Sequence, residues 1–257
     1  MEYGERNLQK GLIGDDVAEL QLRLAGFRGT LLDGDFGPGT ELQVKMFQAD
    51  YMKLAAPTGM VDRATFQAID QFAHYFPIDF KTLRCPCGTC GGFGEGRFKG
   101  QFINGIKGVE QYNRYEYPGM HRMILWAARA LFAYRPDLTF TFTSGYRCSV
   151  DNQRNKRTTT NHHGKAVDID VVRPPVPFSR DDRDRCDALR GLLVEKSNAQ
   201  IGWLGRNRKS LEPSDISPTW VHYDVRSYEP KYLQDKYFCT DPQGLNQAMQ
   251  IEIQQQV

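Results

Sequence analysis

The chain has 257 residues, 40% hydrophobic and 25% charged, a balance that excludes disorder, collagen or coiled coil as a description of the whole. No window approaches the roughly 20 apolar residues that span a bilayer, and the length fits one large domain or two modest ones. The net charge of +2 conceals a division: residues 1–80 hold 7 Lys and Arg against 12 Asp and Glu, and the rest 26 against 19. An acidic front and a basic back predict two units with different tasks. Neither is basic enough to make nucleic acid the expected partner.

The N-terminus, Met1-Glu2-Tyr3-Gly4-Glu5-Arg6-Asn7, lacks a basic segment followed by an apolar one, so no classical signal peptide is expected. From residue 7 to about 75 the periodicity is helical. Val17, Leu20, Leu22 and Leu24 form a short apolar stripe, with Asp15 and Asp16 as candidate caps. The turn-rich stretch Asp33-Gly34-Asp35-Phe36-Gly37-Pro38-Gly39-Thr40 interrupts the helix. Thr40 is then the expected cap of a second helix whose apolar face is Leu42, Val44, Met46 and Phe47. A weaker copy follows at Gly59-Met60-Val61-Asp62-Arg63-Ala64-Thr65, ahead of Phe66, Ala68 and Ile69. Both copies read Gly, x, apolar, three residues, Thr, then helix, which predicts a compact three-helix unit.

The run GDDVAELQLRL followed by DGDFGPGTELQVKMFQ resembles the type 1 peptidoglycan-binding domain, a wall-targeting module of cell-wall hydrolases. The resemblance covers about the first 75 residues and implies a binding unit without chemistry of its own. Its implied partner is peptidoglycan.

Residues 77–115 read as a junction rich in Pro, Gly and Cys. Cys85, Cys87 and Cys90 could supply three thiolates to a structural zinc with a fourth ligand from elsewhere. They could equally pair with Cys148, Cys186 or Cys239. Closed zinc sites usually show two spaced pairs rather than a triplet, so the pattern favours disulfides or free structural thiols. The run from Gly91 to Gly96 has no Lys-Ser/Thr after it and no strand before it, so it reads as a loop and not a phosphate cradle.

Residues 117–135 predict a helix through Met120, Ile124, Leu125, Ala128, Leu131 and Phe132, with His121 a structural histidine at its start. Leu138 to Phe142 predicts a strand. Three segments then carry the chemistry: Thr143 to Arg147, Asn161 to Asp170, and Trp220 to Arg226. Strand alternation puts Asp168 and Asp170 on one face with Val167, Ile169 and Val171 on the other, and groups His222, Asp224 and Arg226. Two strands thus present imidazole and carboxylate to a common space. Two His, one carboxylate and a position left for water suit a catalytic zinc.

The segments SGYR, NHHGKAVDID and WVHYDVR resemble the M15 family of zinc peptidases and its LAS architecture, over about residues 115–230. The resemblance implies an α+β chain: a three-helix peptidoglycan-binding domain at 1–76, the junction at 77–115, and a peptidase domain at 116–257 with an antiparallel sheet and helices. It implies Zn2+ as cofactor. The family pattern S-x-H-x-x-G-x-A-x-D puts its first ligand on Asn161, a poor one, whereas members with a shorter loop place His two before the Gly, at His162. The ligands implied are therefore His162, Asp168 and His222, with His163 and Asp170 as the rival pair. Arg147 matches the arginine expected to hold a substrate carboxylate or carbonyl oxygen. Relatives carry Glu or His shortly before the last ligand, where this chain has Thr219 and Trp220. Of Glu212, Asp215 and Asp224, Asp224 is the candidate catalytic base, or else an orienting partner of a ligand.

The function implied is a zinc metallopeptidase cutting amide bonds of peptidoglycan stem or cross-link peptides, acting in the periplasm or outside the cell. The alternative is a non-catalytic wall-binding protein with a structural metal. A muramidase would need a carboxylate pair across a sugar site, and no such motif is readable. A phage lysis enzyme, a toxin delivered by a secretion machine or a processed bacterial protein all fit the N-terminus, and the basic back fits an anionic wall polymer.

Overall fold

The computed structural model describes residues 1–30, 32–95, 116–157, 159, 161–171, 180–203, 209–225 and 230–250. The front holds α1 (Asp15–Arg23), α2 (Pro38–Asp50) and α3 (Arg63–Tyr75), followed by the short α4 (Phe80–Leu83). The repeated Gly and Thr have a common explanation in two buried glutamines. Gln21 accepts from the Gly34 amide and donates to the Asp35 carbonyl and Thr40 Oγ1. Gln48 does the same in the second copy, with the Gly59 amide, the Met60 carbonyl and Thr65 Oγ1. Each carboxamide satisfies turn groups that the helix ladder cannot reach, so each turn is locked to the preceding helix.

Three local expectations change. Asp15 and Asp16 lie inside the first turn of α1, whose N-cap is Gly14, and Asp16 instead pairs with Arg6 at 2.7 Å. Thr40 lies within α2, which starts after Gly37 with Pro38 in its first turn, and its hydroxyl donates to the Asp35 carbonyl. Leu42 is 47% exposed, so the buried face of α2 is Val44 and Phe47. In α3, Asp62 does cap, accepting from the Thr65 amide at 2.8 Å.

The back is built on α5 (Arg122–Tyr134), α6 (Ser149–Arg154), α7 (Arg180–Lys196) and α8 (Pro242–Asn246), with strands β1 (Met120–His121), β2 (Phe140–Ser144), β3 (Ala166–Val171), β4 (Val221–Asp224) and β5 (Phe238–Cys239). The main sheet has the order β2-β3-β4, antiparallel throughout, and β1 pairs with β5. The fold is thus α+β, helical in front and sheet-containing behind. The helix foreseen from 117 begins at Arg122 because His121 caps it, Nδ1 accepting from the Met123 amide. That cap is fully buried, in keeping with a structural histidine.

One hydrophobic core runs through both parts. Phe27, Phe47 and Phe72 cluster in the front, and Phe72 stacks on Trp126 of α5 with ring centroids 6.1 Å apart. Gly26 permits the approach: a Cβ there would lie 2.2 Å from the Ala130 methyl. Beside it, Arg122 donates two parallel hydrogen bonds to Glu19, at 2.7 and 2.9 Å, with both side chains 1% exposed. Among the described residues no helix is long and apolar enough to cross a membrane.

Candidate metal centre

The sheet register assembles the site. Ser144 pairs with Asp168 across β2 and β3, and Asp168 with His222 across β3 and β4, so the three residues form one row. Directly paired residues on neighbouring strands bring their side chains together on the same face. Val167 and Ile169, on the alternate positions, enter the core. His162 comes from the loop before β3, held by its Nδ1 to the Gly145 carbonyl at 2.7 Å, while its own carbonyl accepts from the Arg147 amide. Gly164 ends that loop at φ +99°, where a Cβ would lie 2.3 Å from the Gly119 carbonyl oxygen, so glycine is required.

The side chains converge tightly. Asp168 Oδ1 is 2.8 Å from His222 Nδ1 and 3.4 Å from His162 Nε2. One ligand atom from each of His162, Asp168 and His222 lies within 4.8 Å of the others, and all three residues are buried. His163 and Asp170 are not brought together in this way. His163 accepts from the Asn152 carboxamide at Nε2, and half-buried Asp170 sits opposite Thr141 with Oδ1 on the Val171 amide. On the far nitrogen, His222 Nε2 donates to Asp224 Oδ2 at 3.1 Å, and Glu212 Oε1 stands 3.9 Å from it. Asp215 is exposed, and Arg226 lies outside the described residues.

The electrostatics suit a cation. Burial lowers His162, favouring the neutral imidazole that a metal needs. Burial alone would also lower His222, but hydrogen bonds to Asp168 and Asp224 outweigh it and raise this ring to about 9. Burial of Asp168 opposes its ionisation, yet the His162 and His222 imidazoles hold its carboxyl well below the ordinary range. A proton on His222 thus occupies ground where two carboxylates favour positive charge. Arg147 completes the corner, donating from Nη2 to Asp168 Oδ2 at 2.7 Å and from Nε to Ser144 Oγ at 2.7 Å.

Comparison with known proteins decides the front of the chain. The profile of a peptidoglycan-binding domain family matches residues 13–69. The first unit belongs to the peptidoglycan-binding domain family. A curated relative, the zinc D-Ala-D-Ala carboxypeptidase of Streptomyces albus G, is 44% identical over 68 residues, which is 25% of this chain and 26% of that protein. The chain therefore matches about a quarter of the relative's length.

The peptidoglycan-binding domain does not hang from a free linker. Its α1 reaches α5 through Glu19 and Arg122, and its Phe72 rests on Trp126. One site feature escaped the sequence reading, Ser144 as the partner of Arg147, while Glu212, weighed there behind Asp224, stands as the second carboxylate beside His222. The Glu212 approach follows from a bridge between Leu211 and Tyr223, which lays residues 210–212 against β4. Pro213 directly after Glu212 is the one local signal, since it ends a paired segment.

Proposed function

We propose that the chain is a zinc-dependent peptidase that hydrolyses amide bonds in the stem or cross-link peptides of peptidoglycan. The observation that carries this reading is the buried His162, Asp168 and His222 cluster, with Arg147 on the free oxygen of its carboxylate, in a chain that bears a peptidoglycan-binding domain. The donor set, two imidazoles and one carboxylate, is that of hydrolytic rather than closed structural zinc sites. When bound there, zinc lowers the pKa of a coordinated water and polarises a carbonyl.

The residues themselves divide the remaining work. Asp168 and the two imidazoles would hold the cation. Asp224 accepts a hydrogen bond from His222 Nε2 and so keeps Nδ1 turned to Asp168. We therefore read it as a positioning residue. Arg147 orients Asp168, and its remaining guanidinium donors suit the carbonyl or carboxylate oxygen of a peptide. The bound wall module raises the local concentration of the site at an insoluble substrate.

Digestion of purified sacculi with and without a chelator, followed by mass spectrometry, tests the proposal. New amino termini within the peptides, lost with the chelator, are the expected result. Reducing-sugar ends alone would refute it. The absence of Glu or His at positions 219 and 220 favours a second reading, a non-catalytic wall-binding protein with a structural metal, and no product from zinc-loaded protein would select it. The role of Asp224 is separable. Asp224→Asn is expected to weaken zinc binding about 10–100-fold, as loss of a ligand's hydrogen-bond partner does. Unchanged zinc affinity with lost turnover would instead make it the base.

A further inference from the structure

A second cluster lies outside that site. All six cysteines are free thiols, and four of them converge: one sulfur each from Cys85, Cys87, Cys90 and Cys148 lies within 4.8 Å of the others. The fourth partner comes from 58 positions beyond Cys90, at the N-cap of α6, which is why spacing alone shows only a triplet. We infer that these four cysteines form a closed tetrathiolate site for a structural zinc ion, which ties the junction to the loop carrying Arg147.

The geometry supports a metal over paired disulfides. Four sulfurs about 2.3 Å from a central zinc stand about 3.8 Å apart at tetrahedral angles, and Cys87 Sγ and Cys90 Sγ are 3.4 Å apart. Cys85, Cys87 and Cys148 are buried, so solvent does not compete for them. Backbone amides already point at the sulfurs: Thr89 and Cys90 donate to Cys87 Sγ at 3.3 and 3.2 Å, and Cys148 donates to Cys85 Sγ at 3.3 Å. Such donors stabilise thiolate. The turn that aims them passes through Gly88 at φ +71°, a left-handed position suited to glycine. Binding releases the thiol protons to solvent and leaves a dianionic centre, and cationic groups stand nearby. Arg154 donates to the Cys87 carbonyl at 2.6 Å, and Arg84 to the Gly91 carbonyl at 2.6 Å.

The site also has a task. After α4 no described helix or strand appears until β1, so residues 84–95 have little regular structure to hold them. The cysteines fasten this segment to Cys148, next to Arg147. On the same side the Tyr146 amide donates to the Leu83 carbonyl, and a Cβ on Gly145 would lie 2.5 Å from the Leu83 backbone. The knot thus clamps the stretch that presents Gly145 to His162 and Arg147 to Asp168.

This inference does not depend on peptidase activity, and its test is separate. Reduced, metal-free full-length protein is titrated with Co2+. One equivalent is expected to give thiolate-to-cobalt charge-transfer absorption that survives in a His162→Ala, His222→Ala double variant and disappears in Cys87→Ser and Cys90→Ser. Because the cysteine variants can fail to fold, alkylation of the unaltered chain with and without zinc supplies a second reading. Zinc is expected to protect Cys85, Cys87, Cys90 and Cys148. Cobalt binding without the thiolate band, equal alkylation with and without zinc, or a disulfide among the four in the isolated protein would each overturn the assignment.

Discussion

Asp168→Asn is expected to strip the candidate centre of its metal and to lower cleavage of sacculus peptides by more than about 100-fold, above the usual loss for an outer hydrogen-bond partner. The substitution keeps the volume of the side chain and removes its charge. Asp168 touches three members of the site at once: His162, His222 and Arg147 all face its two oxygens. An amide offers a neutral oxygen where the site needs a carboxylate, and its NH2, if turned to Arg147, would oppose a guanidinium donor. Zinc content by elemental analysis, expected to fall by one equivalent while the cysteine-bound ion stays, and stem-peptide release by mass spectrometry give the two readouts. Binding to sacculi should persist, because the peptidoglycan-binding domain is untouched. His163→Ala serves as the comparison and should retain zinc, since its ring faces Asn152. Loss of zinc in His163→Ala with retention in Asp168→Asn would transfer the site to the rival pair.

Several features of this site were legible because they obey strand alternation. Asp168 and His222 stand on strands with apolar neighbours on alternate positions, and the register makes them direct partners. The wall-binding turn was legible because its Gly, Pro and Thr have few conformational uses. The glutamines that hold both turns were less so, because a buried glutamine on a helix has no periodic mark. Cys148 joins a triplet that begins 63 positions earlier, and such a partnership exists only after folding. Asp16 and Thr40 misled for a related reason. Each has the chemistry of a cap, but Arg6 and Gln21 offer tertiary partners that a local reading does not contain.

The charge division illustrates the same limit. An acidic front and a basic back suggest separable units, yet a fully buried ion pair, Glu19 with Arg122, joins one part to the other. Arg122 also donates to the Leu245 carbonyl at 3.0 Å and the Gln247 carbonyl at 2.7 Å, and the Trp126 indole donates to the Leu245 carbonyl. The C-terminal α8 is therefore gathered at the same place. The peptidoglycan-binding domain is thus joined to the back of the chain by a buried ion pair and a ring contact.

Glu19→Ala puts that coupling to the test. Removing the carboxylate leaves Arg122 buried without its bidentate partner and deprives Arg23 of its 2.7 Å contact. Breaking a buried pair from one side costs about 3–5 kcal/mol, a large share of the 5–15 kcal/mol typical of whole domains. For a chain of this size the thermal midpoint should fall by roughly 10 °C. The shared core predicts that front and back lose structure in one transition, read by circular dichroism and by tryptophan fluorescence together. Glu19→Leu combined with Arg122→Met should recover only part of the loss. An apolar pair removes the stranded charge, but the carbonyls of Leu245 and Gln247 then lose the guanidinium as their donor. Two separated transitions, with the back unaffected by Glu19→Ala, would show that the units fold independently and that the pair is only a contact between them.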